Sequence, residues 1–209
     1  MAGQAKCIIT VMAFYTGKGD KGTTKLFDTG RASKDGARHY SAESGKRISK
    51  SSPIFETLGM LDELNTLTGW CRVVATRELQ AGEETVHDIL LDVQDHLFTL
   101  QAEVAGAPKS IAQTSVDAMN ELITTIEKSL PEVKSFLVPG GTEFSARLDI
   151  ARAVSRRVER RLVQLHESGE RAISDSSRAY ANRLSSLFYA LVRLENNRAG
   201  ISERPPQYL

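Results

Sequence analysis

The chain is poor in the residues that covalent cross-links and metal centres require. It has two cysteines, Cys7 and Cys71, far apart and outside any CxxC spacing. That argues against a disulfide framework and a zinc site, and two reduced thiols suit a cytoplasmic setting. Its four histidines, His39, His87, His96 and His166, form no HxxxH or HExxH pair, so no transition-metal site made of protein ligands is indicated. No apolar run approaches the roughly 18 residues of a membrane span, and the N-terminal CIITVMAF stretch lacks a small-residue cleavage site. The chain therefore reads as soluble and unsecreted. Neither charge sign prevails: 27 basic against 26 acidic residues leave no broad positive field for nucleic acid or an anionic membrane. Internal repeats and low-complexity runs are absent as well. With 41% hydrophobic side chains, the 209 residues fit one globular domain with a sizeable core.

What the chain does have is arginine on one helix. After a Pro139-Gly140-Gly141 turn, Thr142 can cap a segment whose next two dozen residues contain no glycine or proline. Phe144, Leu148, Ala151, Val154, Val158, Leu162 and Leu165 recur at spacings of three and four, an apolar stripe facing a core. Arg152, Arg156 and Arg160 follow at i, i+4 and i+8 on another face, with Glu159 beside them and Arg157 and Arg161 widening the cationic surface. Six arginines and no lysine lie between Arg147 and Arg161. Arginine grips oxyanions with a fixed fork of donors, so the pattern reads as a polyphosphate clamp. The alternative is a solvated face whose arginines pair with acids on neighbouring helices.

Nearer the N-terminus, after a short apolar start (Ile8, Ile9, Val11, Met12) that suits an arm or edge strand, comes YTGKGDKGTTKLF, Tyr15 to Phe27. Glycines turn successive backbone N–H groups toward one anion, lysines add charge, and threonines can bond a phosphate oxygen, so the composition suits a phosphate loop. It is not a Walker A motif, because Thr23 stands where that motif requires lysine. A plain flexible turn is the competing reading. Residues 29–52 are polar and aperiodic, which reads as a mobile loop that orders on ligand or subunit binding.

Four further helices are predicted. The first runs from Pro53 to about Arg77 with Phe55, Leu58, Leu61, Leu64, Leu67, Trp70, Val73 and Val74 on its apolar side, and Asp62 and Glu63 interrupt that face. The others span Glu84 to Val104, Ser115 to Leu130, and Ser174 to Arg198. Together with the arginine helix they make an all-α, antiparallel five-helix bundle with a four-helix core. In domain terms, 1–52 forms the arm and phosphate loop, 53–198 the bundle and 199–209 a tail.

Three separated motifs resemble one family. TGKGDKGTT (Thr16 to Thr24), ETLGMLDELN (Glu56 to Asn65), and the pair VPGGTxxSAxLxxARxxxRRxERR (Val138 to Arg161) with ANRLSSLF (Ala181 to Phe188) are similar to the PduO-type ATP:cob(I)alamin adenosyltransferases. The match covers roughly residues 15–195 in the family's order. The resemblance implies a homotrimer of five-helix subunits that binds ATP with Mg²⁺ at each subunit interface. It implies transfer of the 5′-deoxyadenosyl group to the cobalt of a corrinoid, with release of tripolyphosphate.

It also implies roles for particular residues. Thr16, Gly17, Lys18, Lys21, Gly22 and Thr23 lie along the phosphates, and Lys50 approaches from the polar loop. Arg156 reaches the terminal phosphates, and Asn182 helps to hold ATP or its metal, which otherwise has no protein ligands. Arg152 pairs with Asp62 across the interface, and Glu159 and Arg160 support the cluster. Phe136 covers the lower face of the corrin, on a segment before the Pro-Gly-Gly turn that can project a ring into a cavity. The implied partners are a reductase that supplies the electron and an adenosylcobalamin-dependent acceptor enzyme. The competing reading on the same fold is a sensor or delivery protein that binds ATP or corrinoid without turnover, and a helical interaction module is a third. This chain departs from the family at Ser186, where an aspartate is usual, at Ile54, where a basic residue is usual, and in the length of the 29–52 loop.

Overall fold

The computed structural model describes residues 15, 17–26, 47–76 and 78–208. Its helices are α1 (Pro53–Val74), α2 (Val86–Ala105), α3 (Gln113–Lys128), α4 (Glu143–Glu167) and α5 (Asp175–Arg198). Two small antiparallel ribbons complete it, β1 (Thr23–Lys25) with β2 (Arg47–Ser49), and β3 (Gln80–Ala81) with β4 (Glu84–Thr85). The expected all-α five-helix bundle is thus the architecture found. The N-terminal arm, Thr16 and residues 27–46 lie outside the described residues.

α1 packs on α2 and α4, and α5 packs on α4 and α3. Side chains close the ring between α2 and α5: the His96 and Tyr180 rings lie 4.9 Å apart, and Glu103 accepts from the Ser174 amide at 2.7 Å and from the Ser177 hydroxyl. Leu61 and Leu64 of α1, Leu90, Leu97 and Leu100 of α2, Leu148 and Leu162 of α4, and Leu184 and Leu191 of α5 have no solvent exposure. Each such leucine contributes on the order of 1.5–3 kcal/mol relative to an exposed one.

The α4 start is built as the sequence implies. Thr142 caps the Ser145 amide at 3.0 Å, and Ser145 Oγ accepts from the Thr142 amide at 2.8 Å, a reciprocal capping box. Three expectations need correction. α1 ends at Val74 rather than Arg77, and its buried face is Ile54, Thr57, Met60, Leu61, Leu64, Asn65, Thr68 and Cys71. Trp70 and Val73, expected on that face, are 47% and 78% exposed. Thr57 and Thr68 can be buried because each hydroxyl donates back to its own helix, to the Pro53 and Leu64 carbonyls at 2.8 Å. Glu84, expected to open α2, instead pairs with Ala81 in a ribbon, and Thr85 caps the helix by accepting from the Asp88 amide.

Candidate functional site

α4 carries the arginines into two adjoining depressions. One is a cavity of about 640 Å³ walled by Asp149, Arg152 and Arg156 of α4, Ser185, Ser186 and Tyr189 of α5, and the 133–139 segment with Phe136. The other, about 320 Å³, is bordered by Arg156, Glu159, Arg160, Val163, Gln164 and Glu167. Arg156 belongs to both walls.

The arginines divide into committed and uncommitted groups. Arg147 pairs with Glu143 and lies 4.3 Å over the Trp70 ring, a cation–π contact between α4 and α1. Arg157 reaches both carboxylate oxygens of Glu63 on α1 at 3.0 and 3.1 Å, and Arg161 donates to Gln164 at 2.9 Å. For Arg157 the face paired with an acid on a neighbouring helix was the right reading, whereas Arg147 finds its acid on its own helix and Arg161 bonds an amide. Arg152 gives Nε to Asp149 at 2.9 Å and keeps its other donors. Arg160 bonds the Arg156 carbonyl of its own helix at 3.1 Å, which orients the side chain without neutralising it. The Arg156 guanidinium is exposed and makes no hydrogen bond or ion pair with another described residue.

Across from this face, Asn182 of α5 donates Nδ2 to Glu159 Oε1 and accepts from Arg183, which in turn donates Nε to Asn120 at 2.8 Å. The structure therefore gathers Arg152, Arg156, Glu159, Arg160 and Asn182 at one seam of α4 and α5. Phe136 stands at the mouth of the larger cavity, 82% exposed, so it is not a core anchor. Asp62 is exposed on α1, and within one chain the partner of Arg152 is Asp149 instead.

The glycine-rich segment forms a second group. Gly17 and Gly22 adopt φ of 65° and 72°, conformations that favour glycine, and flank two tight turns closed by Asp20 N–H to Gly17 O and Gly22 N–H to Gly19 O. β2 brings Lys50 to it: its amide donates to the Gly22 carbonyl at 2.9 Å, and its Nζ lies 3.0 Å from where a Gly19 side chain would begin. Arg47 locks the ribbon by donating to Thr23 Oγ1 at 2.8 Å and to the Lys18 and Thr23 carbonyls. Lys18, Lys21, Gly22, Thr23 and Lys50 thus share one small unit, whereas Thr16 lies outside the described residues. Neither cavity that Arg156 lines includes a described residue of this unit.

The family model for cobalamin adenosyltransferase matches residues 40–195. The chain belongs to the cobalamin adenosyltransferase family. It is 36% identical to the corrinoid adenosyltransferase PduO of Citrobacter freundii over 90% of its own length and 51% of that protein's, so it spans about half the length of this relative. It is 35% identical to a Bacillus subtilis corrinoid adenosyltransferase, covering 92% of this chain and 91% of that one. Among solved structures, a variant PduO-type ATP:corrinoid adenosyltransferase from Lactobacillus reuteri complexed with cobalamin and ATP superposes with a TM-score of 0.78 at 25% identity. That likeness covers 94% of this chain and 100% of the other. A second variant of that enzyme, complexed with ATP, gives 0.76 at 27% identity, over 92% and 99%.

Asp149 is a site residue that sequence reasoning missed. Besides Arg152 it binds the Gly140 amide at 2.9 Å, tying the Pro-Gly-Gly turn to the arginine face. Its spacing of three before Arg152 was a legible sign of an intrahelical pair. The contact with Gly140 was not legible, because it depends on how the turn folds back. Among the described residues no cluster of three or more histidine, cysteine or acidic side chains could hold a metal, and no helix is long and apolar enough to cross a membrane.

Proposed function

We propose that this protein transfers the 5′-deoxyadenosyl group of ATP to the cobalt of cob(I)alamin or a related corrinoid, forming adenosylcobalamin and releasing tripolyphosphate. The observation that carries the reading is the position of Arg156. Its unneutralised guanidinium is shared by a cavity of about 640 Å³ with an aromatic ring at its mouth and by a smaller polar depression. An apolar-mouthed cavity suits a corrinoid, and a fork of free donors suits a polyphosphate. The reacting atoms would meet where the two adjoin.

The reaction asks little covalent chemistry of the protein. Cobalt(I) is itself the nucleophile: its electron pair forms the Co–C5′ bond as the C5′–O bond breaks, and that bond's electrons leave on the tripolyphosphate. The protein's work is alignment and stabilisation of the departing charge, to which Arg156, Arg160 and the glycine-loop amides and lysines are suited. Mg²⁺ bound to the triphosphate supplies further neutralisation. The residues fit a metal carried mainly by the nucleotide, since the Asn182 side-chain oxygen is already engaged by Arg183. Phe136 would exclude an axial donor from the cobalt, which makes Co(II) easier to reduce.

A homotrimer with sites between subunits completes this reading. The loop of 17–23 with Lys50 borders neither Arg156 cavity of its own chain, so a second copy would bring it to Arg156 and bring Asp62 to the remaining donors of Arg152. An electron-donating reductase before the reaction, an adenosylcobalamin-dependent enzyme after it, and a cytoplasmic location belong to the same proposal. The test is anaerobic incubation with ATP, Mg²⁺ and chemically reduced cobalamin. A light-sensitive alkylcobalamin spectrum with stoichiometric tripolyphosphate is expected, and binding of ATP without product would leave a sensor or delivery protein.

A further inference from the structure

The segment between α3 and α4, residues 131–141, has neither helix nor strand, yet it carries Phe136 over the larger cavity. Its course is set by four hydrogen bonds. The Pro131 carbonyl accepts from Arg193 Nη2 at 3.0 Å, the Val138 amide donates to the Arg204 carbonyl at 3.0 Å, the Gly140 carbonyl accepts from Asn196 Nδ2 at 3.2 Å, and the Gly140 amide donates to Asp149. Three of these partners belong to the end of α5 or to the tail beyond it. Residues 199–208 therefore do not trail away from the bundle but lie along the segment.

One side chain of that tail governs two of the clamps. Glu203 accepts from Arg193 Nε through one carboxylate oxygen and from Asn196 Nδ2 through the other, the latter at 3.1 Å. Arg193 and Asn196 are buried, 8% and 1% exposed, so each needs its partners. Without the carboxylate, Arg193 would hold a buried charge uncompensated, and Asn196 Nδ2 would lose one of its two acceptors, keeping only the Gly140 carbonyl. The same amide packs so closely on Gly141 that a Cβ there would overlap it, and Gly141 has a φ of 151° besides. Glu203 also lines the Phe136 cavity.

We propose that Glu203 is a positioning residue: through Arg193 and Asn196 it fixes both ends of the 131–141 segment and so holds Phe136 in register with the corrinoid cavity. The inference rests on the proposed adenosyl transfer for its catalytic consequence, but the hydrogen-bond relay stands apart from it. In Glu203→Gln one of the two acceptor oxygens becomes an NH2 group that meets the donor it formerly accepted from, Arg193 Nε or Asn196 Nδ2, so the relay cannot be satisfied at both ends.

The experiment uses the full chain in two arms. In ligand-free protein, amide hydrogen exchange in 131–141 should quicken in Glu203→Gln, while α1 and α2 keep wild-type protection. In turnover from cob(II)alamin with a mild reductant, kcat/KM for the corrinoid should fall roughly ten- to a hundredfold, because small displacements of a positioning element cost that much. The KM for ATP should stay within about twofold of wild type by the same reasoning, and Glu203→Asp, which keeps both acceptors, should recover part of the loss. Unchanged exchange in 131–141 would overturn the relay, as would accelerated exchange throughout the bundle in both variants. An equal loss for ATP and corrinoid would overturn the specific link to Phe136. If wild-type protein makes no alkylcobalamin, the adenosyl-transfer reading fails instead, and the exchange arm still decides the relay.

Discussion

The N-terminal end of α4 and its middle both carry polar side chains and are finished differently. At the end, Thr142, Ser145, Asp149, Glu195, Asn196 and Glu203 bond one another and the Pro-Gly-Gly turn, with Thr142 Oγ1 donating to Glu195 at 3.0 Å and Asn196 Oδ1 left as the one buried side-chain atom of this group without a partner. In the middle, Arg156 and Arg160 keep charge that nothing described in the chain neutralises. A polar network closed on itself holds a shape. Open donors on a rigid helix are what the proposed polyphosphate clamp requires.

Substitutions on either side should therefore fail in different ways. Arg156→Ala should keep helicity and assembly but lower kcat/KM about ten- to a hundredfold, the equivalent of charge-assisted bonds of roughly 1.5–3 kcal/mol. A change below about threefold, by the same scale, would remove this arginine from the clamp. Phe136→Ala should leave ATP affinity and melting temperature near wild type and lose most turnover from cob(II)alamin. Pre-reduced cob(I)alamin should restore part of that turnover, and unaltered turnover from cob(II)alamin would mean that the exposed ring plays no role at the metal.

The closed end should lose stability first. Asp149→Ala strips acceptors from Gly140 and Arg152, so urea unfolding should report a loss of about 1–3 kcal/mol. A smaller effect is expected for Asp62→Asn with Arg152→Gln, where the second change should add little to the first in activity and in the stability of the proposed trimer. Strict additivity would show that the two side chains do not meet across an interface. Least affected is Cys71, whose thiol burial pushes up to about 11 from 9.0 despite the opposing charge of Arg147. Because the folded-state value is raised, the stability it contributes is whole below about 9 and is lost as pH climbs toward 11. In a Cys7→Ser background, maleimide at neutral pH should label the protein only after unfolding.

Much of this contrast was legible in the residues. The Thr142 cap, the apolar stripe from Phe144 to Leu165 and the i, i+4, i+8 arginines are local patterns, and local patterns survive without knowledge of the fold. Which arginines were structural was not legible, because Glu63 and Trp70 sit on another helix. The buried face of α1 was misread where Thr57 and Thr68 satisfy themselves through their own backbone, a device that polarity alone conceals. The β1–β2 ribbon joins Thr23 to Ser49 across a long polar stretch, and the Glu203 contacts with Arg193 and Asn196 depend on the tail reversing direction. Neither leaves a periodic trace.

The contact between Trp70 and Arg147 has a practical corollary. Trp70 is the one tryptophan of the chain, about half exposed, and it rests on a guanidinium at the seam of α1 and α4. Its ultraviolet emission therefore comes from a single known place. Any event that shifts those helices against each other, or covers the ring with another copy of the chain, would move the emission maximum or change its intensity, so the unlabelled protein carries its own optical gauge of assembly.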